Sequence, residues 1–187
     1  MSVQFTVKAN HRIEVAVGKV TPGREGYMYG EYFPAARPLM DRAGVQSLSS
    51  FVVVASNRPG VEPVQGAFSS WPAADNRRRL FDDPQFQKLV VERDAALDLL
   101  SDGHLFEGVD HTVDVSTDQE YALIIAQDLT PDPAAALHLQ FAADSPEREH
   151  AGKTVTLQPW SDAADRLISG PSTQAEVHRI RFNAPSA

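Results

Sequence analysis

The order in which strand-like and helical stretches alternate constrains this chain more than any other feature. "HRIEVAVGKVTPG" alternates apolar and polar residues and stops at Pro22-Gly23, so residues 11–20 read as a strand ending in a turn. In "REGYMYGEYFPAARPLMDRAG" the residues Tyr29, Tyr32 or Phe33, Ala36, Leu39 or Met40, and Ala43 recur at helical spacing, and Gly44 is a natural terminator. Pro34 and Pro38 each remove an amide donor, which predicts a first turn before Pro34, a kink, and a helix to about Ala43. "VQSLSSFVVVASNRPG" reads as a strand closed by Asn57–Gly60, and "EPVQGAFSSW" as its hairpin partner. A helix is expected over "LFDDPQFQKLVVERDAALDLL", residues 80–100, with Asp83 as N-cap and Pro84 at the first helical position. "GHLFEGVDHTVDV" supplies a closing strand. The resulting β-α-β-β-α-β order is the split-βαβ, or ferredoxin-like, α+β arrangement: an antiparallel sheet with both helices on one face.

Composition narrows the function classes. The chain has 187 residues, enough for one domain with a substantial core or for two small ones. A formal charge of -8 argues against nucleic acid or an anionic membrane as partner, because neutralising phosphates needs clustered Lys and Arg. The run Arg77-Arg78-Arg79 is short, is followed by Asp82 and Asp83, and reads as a solvated helix face. Zero Cys excludes disulfides, thiol catalysis and Cys-based metal or cluster sites. No apolar run approaches about 18 residues and "MSVQFTVKANHR" lacks a signal-peptide apolar core, so a cytoplasmic protein is expected.

Tyr32, Pro38 and Gly44, then "AFSSWPAADNRRRLFDDPQFQKLVVER" and "HLFEG", resemble the small dimeric α+β barrel proteins of the domain-of-unknown-function 1330 family. The resemblance spans roughly residues 11–110. Where that family's pattern has a Trp-Tyr pair this chain has Leu80 and Phe81, and Phe68, Asp83-Pro84-Gln85-Phe86 and Arg93 align with the rest of it. It implies the barrel fold and no particular reaction.

The second half echoes the first in the same order, as an internal duplication would leave it. "VAVGKVTPG" is echoed by "IIAQDLTPD", "PAARPLM" by "PAAALHL", and "FSSWPAADNRR" by "LQPWSDAADRL". The only two Trp, Trp71 and Trp160, each stand just before an Ala-Ala-Asp. A ferredoxin-like domain over residues 1–116 is therefore expected to precede a degenerate second copy over 117–187, with "YALIIAQDL", "TVTLQPW" and "AEVHRIRF" as surviving strands. The alternative is a β-rich C-terminal extension, because "ALHLQFA" alternates with period two as well as it forms a helix. Residues 1–113 carry 12 Lys and Arg against 14 Asp and Glu, leaving 5 against 11 in the remainder, so the second half is the acidic one.

One residue in the second helix is out of place. With Phe86 at the zero of a helical wheel, Leu89, Val90, Leu97 and Leu100 form an apolar stripe and Arg93 falls in its middle. A buried guanidinium must be paired or bound to an anion. Arg93 is either an anchor for a substrate carboxylate or enolate, or an ion pair with Glu107, Glu31 or a helix-end carbonyl. Glu107 beside it would serve as a base near a bound anion, and Tyr29 and Tyr32 would bring phenols to the same cavity or pack as core aromatics. "HLFEGVDH" holds His104, Glu107, Asp110 and His111, but on a continuous strand these split between two faces. No metal is expected there, with His104 solvated in a turn; His138 and His178 read as hydrogen-bonded structural histidines. No phosphate loop, Gly-x-Ser-x-Gly elbow or His-Glu-x-x-His pair occurs. What remains is a protein that binds a small anionic or aromatic compound, as a cofactor-free monooxygenase or isomerase-like enzyme or as a non-catalytic binding or assembly module. A homodimer fits either role. Phe68, Phe86 and Phe106 decide how open the cavity is.

Overall fold

The computed structural model describes residues 1–58, 64–101, 104–145, 150–169 and 175–184. The strands are β1 (Ser2–Val7), β2 (Arg12–Val20), β3 (Gln46–Ser56), β4 (Val64–Trp71), β5 (Leu97–Ser101), β6 (Leu105–Glu107), β7 (His111–Ser116), β8 (Tyr121–Gln127), β9 (Leu137–Gln140), β10 (Lys153–Pro159) and β11 (Ala175–Phe182). The helices are α1 (Glu25–Tyr27), α2 (Phe33–Arg42), α3 (Ala74–Phe81), α4 (Pro84–Asp94) and α5 (Asp162–Ser169), with a π turn at Met28–Tyr32 joining α1 to α2.

Nine strands form one antiparallel sheet in the order β5-β2-β4-β3-β11-β8-β10-β9, with β6 end to end with β5 beside β2. Its two ends meet, because Phe106 of β6 bridges Phe141 and the Ala142 amide donates to the Leu105 carbonyl. The sheet closes on itself, and the inward residues of every long strand share one core. Ile13, Val15 and Val17 meet Phe51, Phe68, Phe106, Leu123, Leu139, Leu157 and Ile180 there. β1 and β7 pair separately, and their alternate residues Val3, Phe5, Val113 and Val115 insert into the same core, where Phe5 stacks on Phe68 at 5.6 Å. The helices lie outside: α2, α3 and α4 cover β2 and β4, while Ala164 of α5 packs on Ala122, Ile124 and Val177. Among the described residues no helix is long and apolar enough to cross a membrane.

The α+β class and the large antiparallel sheet follow the sequence reading, two points differ from it, and two more are settled in detail. The expected helix over residues 80–100 is three elements: α3, then α4 ending at Asp94, then β5, whose Leu97 pairs with Val20. The single closing strand is likewise divided, because Gly108 sits where a Cβ would come within 2.2 Å of the Lys8 carbonyl oxygen and the chain turns there into β7, in the other sheet. "ALHLQFA" forms β9, so the strand periodicity wins over the helical one. The first turn expected before Pro34, with its kink, is the π turn, in which the Phe33 amide reaches the Met28 carbonyl. The turn expected at Asn57–Gly60 extends beyond the described residues.

Candidate functional site

α4 begins where Asp83 accepts from the amides of Gln85 and Phe86, at 2.7 and 3.4 Å, and this cap fixes which residues turn toward the sheet. Phe86 and Arg93 are the two it buries. Arg93 is not paired with Glu107 or Glu31. Its Nε and Nη2 both donate to Oδ1 of the adjacent Asp94, at 2.8 and 2.7 Å, and its guanidinium also meets the hydroxyl of Tyr32 and stands 5.9 Å from the centre of the Phe81 ring. Burial opposes the Arg93 charge, but the hydrogen bond to Asp94 and the field of Tyr32 outweigh it and raise its pKa.

Tyr32 comes from the end of the π turn and is buried. Such turns concentrate at functional sites because they re-aim one side chain without breaking the helix. Burial pushes the Tyr32 phenol up, and the nearby Arg93 pulls it down by less, so the hydroxyl stays protonated in neutral solution and acts as a donor.

The other two expected site residues lie elsewhere. Tyr29 is 49% exposed, and its hydroxyl donates to Oε1 of Gln65 at 3.0 Å. Glu107 is exposed on β6 opposite Arg12, whose guanidinium is held by Asp144 at 2.6 and 3.0 Å. Arg93 and Tyr32 are brought together; Glu107 and Tyr29 do not join them.

The carboxylate buried in this layer is Glu14, near the start of β2 on the face toward the helices. Arg77 of α3 donates to its Oε1 and the Trp71 indole N–H to its Oε2, each at 2.9 Å. Arg77 is therefore buried, not part of a solvated face, and only Arg78 and Arg79 point outward. Its guanidinium lies 4.5 Å from the centre of the same Phe81 ring that Arg93 approaches. Phe81 thus links two cations, Arg77 committed to Glu14 and Arg93 to Asp94 and Tyr32. The signal for this network was Glu14 itself, a carboxylate between Ile13 and Val15 of a strand, together with a Trp whose N–H needs an acceptor.

Three histidines complete the inventory. His104 is buried instead of solvated, at 5% exposure. His138 bonds Thr156 Oγ1 at 2.8 Å through Nδ1, and His178 bonds Glu176 Oε1 at 2.7 Å through Nε2. The run from His104 to His111 does break between β6 and β7, yet among the described residues no group of three or more His, Asp or Glu is placed to hold a metal ion.

No family model matches the chain, that of the domain-of-unknown-function 1330 family included, and no curated protein matches it. Solved structures do. An anthrone oxidase-like protein superposes with a TM-score of 0.50 at 12% identity, covering 97% of this chain and 94% of that one. A candidate monooxygenase from Fusobacterium nucleatum subsp. nucleatum superposes at a TM-score of 0.41 and 10% identity, covering 93% of each chain. The first likeness carries the fold across nearly the full length of both chains.

Proposed function

We propose that this chain binds a small anionic or aromatic compound between its outer helices and the sheet, and acts on it as a cofactor-free monooxygenase or isomerase-like enzyme. The observation that carries the reading is the buried Arg93–Tyr32 pair: a permanent cation and a phenol held as a hydrogen-bond donor, side by side in the layer under α4. Such a pair suits an enolate or phenolate oxygen, which Arg93 stabilises by charge while Tyr32 donates to it. The likeness to an anthrone oxidase-like protein supports the same direction at the level of fold.

Three observations favour the rival reading, a non-catalytic binding or assembly module. The inside of the closed sheet is filled by Phe51, Phe68 and Phe106, all fully buried, and Asp94 already occupies one edge of Arg93. The expected base, Glu107, also stands apart from Arg93, next to Arg12.

The same reading takes the chain as two ferredoxin-like halves, residues 1–116 and 117–187, built into one barrel. With β1 and β7 of the separate sheet left out, β5/β6-β2-β4-β3 and β11-β8-β10-β9 both run fourth, first, third, second within their halves. Trp71 and Trp160 both follow or end the third strand and precede a helix. The second half has a connection over residues 128–136 where the first has α2, and its β8 and β9 both run antiparallel to β10.

The deciding experiment is a thermal-shift screen of wild type and Arg93→Ala against small carboxylates, phenols and quinones. A ligand at a hundredfold excess over Kd stabilises the fold by about 2.7 kcal/mol. A shift lost in the folded variant supports the site and selects a compound for dioxygen uptake. Monooxygenation of a ring CH2 to C=O consumes one dioxygen per product, with one oxygen atom in the product and the other in water. No shift with any compound, and an Arg93→Ala variant too unstable to purify, leaves the assembly module as the reading.

A further inference from the structure

The inner face of the closed sheet changes chemistry along its length. Where Phe5 packs, its lining is aromatic: Phe68 and Phe182 lie within 5.6 and 6.3 Å of Phe5, and Tyr121 meets Phe182 edge-on. Residues two apart on a strand share a face, so the same inner rows can be followed away from that end. On β11, Phe182 and Ile180 give way to His178 and Glu176; on β10, Leu157 and Val155 give way to Lys153; beside β6, Phe106 gives way to His104.

These polar residues form one cluster with Arg58, which follows β3, and His150, which precedes β10. Glu176 takes His178 Nε2 on Oε1 at 2.7 Å and stands 3.9 Å from Arg58 through Oε2. Lys153 Nζ lies 2.9 Å from His150 Nδ1, and the His150 ring stacks on His104 at 4.0 Å with 20° between planes. The stacked rings lie face to face and do not aim their nitrogens at one point, in keeping with the lack of a metal-ligand set among the described residues.

What sets the cluster apart is unspent hydrogen-bonding capacity. Both nitrogens of His104 and Nδ1 of His178 are buried without a hydrogen-bond partner among the described residues. A buried polar group in that state calls for a specific explanation. In their neutral forms His104 offers one donor and one acceptor, and His178, with Nε2–H given to Glu176, offers an acceptor at Nδ1. Among the described residues, Lys153, Arg58 and Glu176 supply the formal charges around them.

We propose that this polar end of the barrel interior is a second binding site, distinct from the layer under α4, for a small hydroxylated carboxylate. The carboxylate answers the positive charge of Lys153 and the His104 N–H, and the hydroxyl donates to Nδ1 of His178, which Glu176 holds in the required tautomer. Burial and the charges of His150 and Lys153 keep His104 neutral, and a bound anion would raise its pKa.

The test is a titration of the full chain with 4-hydroxybenzoate and with benzoate, followed by the imidazole resonances of His104 and His178 in NMR and by calorimetry. Wild type is expected to bind 4-hydroxybenzoate more tightly than benzoate, with both histidines perturbed. His104→Phe preserves the stack on His150 and Phe106 while removing both nitrogens, and Lys153→Gln removes a charge at a strand end. Each is expected to weaken binding at least about tenfold. If His104→Phe fails to fold, Lys153→Gln alone decides. Imidazole resonances that do not move at millimolar 4-hydroxybenzoate, or an affinity that Lys153→Gln leaves unchanged, overturn the proposal.

Discussion

Arg77 and Arg93 carry the same charge into the same apolar layer, but they are held differently. Arg77 faces a buried carboxylate, so its removal takes a close cationic partner from the buried Glu14 charge. Arg77→Ala is expected to cost about 3 kcal/mol in urea unfolding, while the double change Glu14→Leu with Arg77→Met recovers most of it. Asp94, the partner of Arg93, is 57% exposed, so Asp94→Asn should shift stability by less than about 1 kcal/mol in the same assay. His104 adds a pH dependence. Its pKa is lowered from 6.5 to about 4 by burial first and by the charge of His150 second. Between these values the unfolded chain binds the proton and the folded chain does not, so stability is full above the unfolded pKa and falls as pH drops. From pH 7 to pH 5 the loss should reach about 2 kcal/mol, and His104→Phe should remove it. At this scale the sequence showed that Arg93 was out of place, because helical periodicity exposes a misfit. It did not show the partner, because the neighbour in sequence lies about 100° round the helix and is not counted as facing it. Arg77 was hidden for a related reason: in a run of three arginines, α3 turns one inward.

The elements differ in how openly they were written. The start of α4 was legible from Asp83 and Pro84, and the Asp83 side chain makes the expected cap; Asp83→Ala should cost about 1 kcal/mol in thermal or urea unfolding. Its end was not, because Leu97 and Leu100 continue the apolar spacing while the edge of β2 offers them a strand to join, and pairing overrides a short periodic run. β1 alternates over six residues, with every second side chain buried, but an isolated N-terminal alternation gives no hint that its partner is β7, more than a hundred residues on. Close approach shapes β4 as well. A Cβ on Gly66 would come within 2.3 Å of the Phe51 ring and 2.7 Å of the Ala16 carbonyl oxygen. Gly66→Ala is therefore expected to lose about 1–3 kcal/mol by forcing Phe51 out of place, read as a lower urea midpoint.

For the whole molecule, the α+β class and the large antiparallel sheet were legible because the apolar periodicities of the first half are clean. The closure of the sheet was not, since it depends on β3 meeting β11 and on Phe106 and Leu105 meeting Phe141 and Ala142, contacts that no local pattern announces. The closure also predicts how a fragment behaves. Residues 1–116 alone would uncover the inner face of β2, β3 and β4 and the edge of β3 that β11 occupies. Sedimentation of that fragment should show self-association, where Phe51→Glu in the fragment leaves it monomeric or unfolded. One chain supplies every strand of the ring, and this has a consequence for its history. In a ring made from two identical subunits each substitution is written twice, at symmetric points, and must be tolerated at both. Here Lys153, Glu176 and His178 line one arc while Val17, Phe51 and Phe68 line another. A chain that closes on itself is free to age unevenly, keeping one arc as scaffold while the other acquires a chemistry of its own.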